Sequence, residues 1–264
     1  LDTPLGKMGT ARYIATPCSW NSYGANHLVA IKTTQFPSSL QVLARALELE
    51  FGECHYLHYG IDEPSSPLGG GCQGKSFLEM QQHFSDRLWL QINEALQSSK
   101  KALFVGHSVG FLAEQSAAQG LETTWLSASA KGNSKNLETH SADFLSAHLG
   151  TNFDVIVVEG SYHYLDQLPI LNKCREILKS DGDVYLFGEY LDDDSTIQYS
   201  SLPNLSSFKQ LSDRLGYDLV QELDFTVEVQ PSFPALSTLL QRHEQVLIRR
   251  KFATNQELEK LKES

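Results

Sequence analysis

The sequence predicts an α/β fold: a mostly parallel, seven-stranded sheet with a helical N-terminal cap or lid. Three observations predict it. From residue 101 onward, short apolar runs alternate with helical stretches at the lengths of βα units. One of those runs, Phe153 to Val158 (FDVIVV), is continuous enough for a strand covered on both faces. Lys101 to Gly120 (KALFVGHSVGFLAEQSAAQG) then reads strand, glycine-bounded turn and helix, an element that aims helix N-terminal amides at a ligand above the strand end.

Residues 1–100 read as a helical cap and lid, and 101–264 as the sheet-bearing core. Leu40 to Phe51 spaces its apolar residues helically and stops at Gly52. Ser76 to Leu96 is a second helix, opened by Ser76 with Glu79 three residues later, the pattern of a capping box. Between them, His55 to Gly74 is rich in Gly, Pro and Ser. It predicts a long loop, either closing over a pocket or pinned at the surface by its aromatics.

In the core, strands are expected at Ala102–Val105, Thr123–Ala128, Leu137–His140, Phe153–Val158, Val184–Phe187, Leu219–Leu223 and Gln245–Arg250. Helices are expected over Phe111–Gln119, Leu165–Leu178 and Ser206–Leu215, two of them closed by Gly120 and Gly216. A Pro-bounded helix within Thr226–His243 could serve as a second lid.

Composition narrows the function classes. A net charge of −11 argues against a phosphate-backbone surface, and the one basic cluster, Arg249-Arg250-Lys251, is small. No nucleic-acid and no membrane partner is therefore expected. No apolar run approaches the roughly 20 residues of a membrane-spanning helix, and no signal-peptide pattern opens the chain. The four cysteines show no paired spacing, which fits free thiols and a cytoplasmic setting. A start at Leu1 is compatible with a processed chain or an excised domain.

On these segments, residues 101–250 resemble the Rossmann-like core of class I S-adenosylmethionine-dependent methyltransferases. FDVIVVEGSYHYLDQLPILNKCREILKSDGDVYLFGE resembles that family's fourth strand, helix and fifth strand, and LSSFKQLSDRLGYDLVQELDFT resembles the helix, glycine turn and strand that follow. The resemblance implies S-adenosylmethionine as cofactor. Gly106, His107, Ser108 and Gly110 would then lie under its methionine and ribose part. His107-Ser108 stands where the family usually has a Gly-Cys-Gly-like centre. Ser127 and Ser129 stand where it usually has an acid for the ribose hydroxyls. Asp143 matches the adenine-contacting acid, with a helix N-cap as the alternative. Glu159, at the end of FDVIVV, completes the cofactor-binding candidates.

The catalytic candidates are His163 and Tyr162, with His163 as a general base of near-neutral pKa. His163 and Gln167, four apart, together with Glu189, could instead bind a divalent metal such as Mn or Fe. The short strings ESYHY-like and FGE-like also resemble the metal-dependent methyltransferase domains of polyketide synthase loading modules. That implies a small-molecule or acyl-carrier-bound acid as substrate.

Two other function classes compete. Gly106-His107-Ser108-Val109-Gly110 spells G-x-S-x-G, a nucleophile elbow, with Asp193 and His243 as possible triad partners and LGGGCQG as an oxyanion loop. Hydrolases place strands before such an elbow, whereas this chain predicts helices there. The missing strand-end acid motivates the other class, a binding protein that kept the fold without turnover.

Overall fold

The computed structural model describes residues 10–17, 38–51, 60–61, 76–127, 130, 135–159, 166–191 and 203–263. In chain order these form β1 (Thr10–Pro17), α1 (Ser38–Phe51), α2 (Phe77–Ser98), β2 (Lys101–Val105), α3 (Gly110–Ala118), β3 (Glu122–Leu126), β4 (Leu137–His140) and β5 (Phe153–Val158). Then follow α4 (Gln167–Ile177), β6 (Leu178–Tyr190), α5 (Leu205–Arg214), β7 (Asp218–Asp224), α6 (Thr226–Val229), α7 (Ser232–Arg249) and α8 (Asn255–Glu263). The strands pair in the order β4-β3-β2-β5-β6-β1-β7, and every neighbouring pair is parallel.

Alternation along the strands divides the core into two layers. Leu103 and Val105 of β2, Ile156 and Val158 of β5, and Val184 and Leu186 of β6 face α4 and α5. Their intervening neighbours Ala102, Phe104, Val155, Val157, Tyr185 and Phe187 face α2 and α3. Successive side chains of a strand point to opposite faces, so a strand apolar at every position must be covered twice. FDVIVV meets that expectation.

The capping box of α2 forms as its sequence predicts. Glu79 N–H donates to Ser76 Oγ at 3.2 Å, and Ser76 N–H donates to Glu79 Oε2 at 2.6 Å. Phe84, Leu88, Ile92 and Leu96 then bury one stripe of α2 against β2, α3 and β5. The helix therefore covers the sheet. α1 joins a separate apolar cluster with α7 and α8, through Val42, Leu43, Ala46 and Leu47 against Leu236, Leu239, Leu240 and Leu258.

Two element expectations are corrected. Gln245–Arg250 is the last part of helix α7 with its C-cap Arg250, not a strand. Only Leu247 in that run is buried, and it continues the helical stripe of Leu236, Leu239 and Leu240. A strand lies instead at Thr10–Pro17, where the sequence reading has only a helical cap. It inserts between β6 and β7, pairing Thr10 with Asp183 and with Asp218. Its partners are far along the chain, so no local pattern announces it. The long loop expected over His55 to Gly74 lies outside the described residues except at Gly60 and Ile61. There Ile61 N–H donates to Met80 O at 3.0 Å. Among the described residues, no helix is long and apolar enough to cross a membrane. Cys174 is a buried free thiol whose pKa burial raises to about 12, so it serves packing.

Candidate functional site

The sheet order locates a site before any side chain is considered. From β2 the chain steps outward to β3 and β4, then crosses back to β5 on the other side of β2. Connections leaving β2 and β5 therefore diverge, opening a crevice at the carboxyl ends of these two strands. Gly106 follows β2 and Glu159 follows β5, so both stand at that switch point. The ladders extend one residue past the strands to hold them: Gly106 N–H donates to Leu126 O at 2.9 Å, and Glu159 N–H donates to Val105 O at 2.8 Å.

Glu159 is only 3% exposed. Its carboxylate faces back across the switch point to the glycine turn. Ser108 Oγ donates to Glu159 Oε1 at 2.6 Å, and Ser108 N–H donates to Oε2 at 2.7 Å. Burial pushes the Glu159 pKa upward, against the opposing pull of the Ser108 hydroxyl, the His107 charge and the backbone amides of both residues.

The glycines have a cause other than ligand approach. Gly106 has φ +124°, and an added Cβ would come 2.2 Å from Glu159 Oε2 and 2.4 Å from Glu159 Cβ. At Gly110 a Cβ would come 2.5 Å from Trp125 Cζ2. The indole also donates from Nε1 to Gly106 O at 2.8 Å. The turn is thus held from the β5 side by Glu159 and from the β3 side by Trp125. Above it, α3 begins at Gly110 with Val109 at its N-cap, which makes no side-chain cap hydrogen bond, and the positive end of the helix dipole points toward the crevice.

Of the other candidates, Ser127 is 2% exposed at the end of β3, its N–H donating to His140 O at 3.1 Å. Asp143 opens a turn: its Oδ1 accepts from Leu145 N–H at 2.9 Å and Ser146 N–H at 3.2 Å. The turn it opens does not continue into a helix. Gln167 is the first residue of α4, 9% exposed, immediately after the N-cap Asp166. Glu189 lies near the end of β6, in register with Thr16 of β1. Ser129, Tyr162 and His163 lie outside the described residues. Among the described residues, no group of three or more His, Cys, Asp or Glu side chains could hold a metal ion. Of the metal candidates, Gln167 and Glu189 are described and His163 lies outside the described residues.

The triad reading fails on its own residues. Ser108 is 1% exposed and its hydroxyl donates to Glu159 rather than to an imidazole. His243 sits on α7, 2.5 Å from Glu50 of α1, in an ion cluster with Arg242. Asp193 and the LGGGCQG loop lie outside the described residues. A nucleophilic serine needs a base within hydrogen-bond reach, and His243 is committed elsewhere.

Sequence reasoning did not single out Trp125, which has no motif around it. Glu159 was singled out, but for ligand contact; its contact with Ser108 spans 51 residues of chain.

No family model matches the chain, and no curated protein matches it. Solved structures do. The [4+2]-cyclase SpnF superimposes with a TM-score of 0.64 at 15% identity, over 89% of each chain. A protein assigned as a sarcosine dimethylglycine methyltransferase from Galdieria sulphuraria gives 0.56 at 14% identity, over 84% of this chain and 89% of that one. The cyclopropane synthase MmaA2 from Mycobacterium tuberculosis gives 0.56 at 12% identity, over 85% and 87%. Likeness at this identity shows the fold, which is that of class I S-adenosylmethionine-dependent methyltransferases.

Proposed function

We propose that this chain is an S-adenosylmethionine-dependent methyltransferase. The observation that carries the reading is the coincidence of the glycine turn, the start of α3 and the buried Glu159 at the place where the order of the described strands reverses direction. That crevice is where parallel sheets of this kind receive their ligands. Residues 101–264 form the cofactor-binding core in this reading, and β1 completes it as the seventh strand.

When bound, the cofactor supplies a methyl group already activated on a sulfonium, so the protein's tasks are alignment and exclusion of water. The Gly106–Gly110 turn and the α3 N-terminus would seat its polar end. Ser127, at the neighbouring strand end, would offer a neutral hydroxyl toward the ribose. His163, after β5, would accept the proton released by the methylated substrate. The substrate in this reading is a small-molecule or acyl-carrier-bound acid. No step is assigned to a metal.

Isothermal titration with S-adenosylmethionine tests the reading and is expected to show binding; no binding at millimolar cofactor overturns it. The fold also hosts a cyclase, so fold alone does not decide the chemistry. A methylated product from any acid substrate separates turnover from the binding-only reading.

A further inference from the structure

Resting on that reading, we propose that Glu159 is a positioning residue: it sets the conformation of the Gly106–Gly110 cofactor turn by bracing Ser108, and cofactor affinity depends on this brace.

The geometry is specific. Both carboxylate oxygens engage Ser108 of the turn, Oε2 accepting from its main-chain N–H and Oε1 from its hydroxyl, and the neighbouring His107 amide also acts on the carboxyl. This pair fixes the backbone of Ser108 and its side-chain rotamer together, across the crevice between β2 and β5. Glu159 is too enclosed to be a surface contact for a ligand, at 3% exposure. Its stem fills the space under Gly106, where no Cβ fits. It therefore acts on a ligand through Ser108.

Stability alone does not call for an acid there. A buried carboxyl carries a desolvation penalty that an apolar side chain of similar volume would avoid. What the carboxyl adds is a defined direction for two donors of a turn whose next residues, Val109 and Gly110, lead into the N-terminus of α3. Moving Ser108 would re-aim those amides.

The brace is a matter of hydrogen bonds, which sets the behaviour of the conservative variant. In Glu159→Gln, the amide oxygen can accept from Ser108 N–H while the amide nitrogen donates to Ser108 Oγ, because a hydroxyl can donate or accept. Glu159→Gln should therefore keep the turn and Glu159→Ala should lose it.

The experiment measures S-adenosylmethionine affinity by titration, and amide hydrogen exchange at Ser108 in the ligand-free protein, for wild type, Glu159→Gln, Glu159→Ala and Ser108→Ala. Expected is a weakening of about tenfold or more in Glu159→Ala, the scale of losing two hydrogen bonds of about 1 kcal/mol each. Glu159→Gln should stay within about threefold of wild type, with Ser108→Ala in between. Exchange at the Ser108 amide should accelerate in Glu159→Ala alone among the Glu159 variants. A folded Glu159→Ala that binds like wild type overturns the proposal, as does a Glu159→Gln as weak as Glu159→Ala. Should Glu159→Ala fail to fold, Ser108→Ala decides, and undiminished affinity there overturns it. Absence of binding in wild type would instead remove the methyltransferase reading. The exchange comparison between wild type and Glu159→Gln, made without ligand, then judges the brace: matching rates support it, and faster exchange in Glu159→Gln overturns it.

Discussion

The indole of Trp125 donates to Gly106 O at 2.8 Å while its ring packs where a side chain on Gly110 would have to be. One residue of β3 thus governs both ends of the turn that follows β2. Trp125→Phe keeps much of the ring and removes the donor. It should lower stability by about 1 kcal/mol, the net worth of a typical hydrogen bond, read as a shift in urea midpoint at unchanged slope. An unshifted midpoint would show that the bond contributes nothing.

The two glycines should differ in severity. Gly110→Ala meets a ring that can shift, so a loss of roughly 1–3 kcal/mol is expected. Gly106→Ala combines a positive φ with a collision against Glu159, itself pinned by two hydrogen bonds. Thermal unfolding should rank wild type above Gly110→Ala and Gly110→Ala above Gly106→Ala. A Gly106→Ala protein as stable as wild type would contradict the geometry described for the turn.

At the opposite end of the sheet, Asp154 of β5 accepts from Lys100 N–H and Lys101 N–H, each at 2.9 Å, and from Lys179 Nζ at 2.5 Å. Burial works to raise its pKa, but the Lys179 hydrogen bond and the two amides outweigh it and the net direction is down. A carboxyl with a lowered folded pKa stabilises the native state above its unfolded value of about 3.9. That contribution is lost as the pH falls through the folded value. Asp154→Asn should therefore be less stable than wild type at neutral pH, by about 1–2 kcal/mol. The two should converge in acid, as followed by denaturant titrations across the acidic range. A constant gap at every pH would refute this assignment.

Ser108 should not react with a fluorophosphonate probe, because its hydroxyl is buried and donates to a carboxylate rather than to a base. Mass spectrometry of the treated protein checks this. A covalent adduct on Ser108 would reinstate the hydrolase reading.

Much of the fold is legible locally. Phe153 to Val158 declares a doubly covered strand by its unbroken apolar run, and Ser76 with Glu79 declares the start of α2 through bonds between near neighbours. Gly120 and Gly216 take the positive φ expected after α3 and α5. Gln245–Arg250 misleads because a short apolar run has no period of its own; its helical character comes from Leu247 joining α1, α7 and α8 in one cluster. In the candidate site, Gly106, Ser108, Gly110 and Glu159 are recognisable as positions that matter. What each does is not.

The sequence by itself determined the β2–turn–α3 element, the buried strand beside it and the alternation that makes an α/β sheet. These depend on periodicity, caps and turn residues, whose interactions span a few positions. Only the tertiary structure decided that Thr10–Pro17 enters the sheet, that Trp125 and Glu159 grip the turn from two sides, and that Ser108 serves as the gripped residue rather than a nucleophile. Those facts rest on contacts between distant segments, and such contacts exist only once the strand order has brought β3, β2 and β5 side by side.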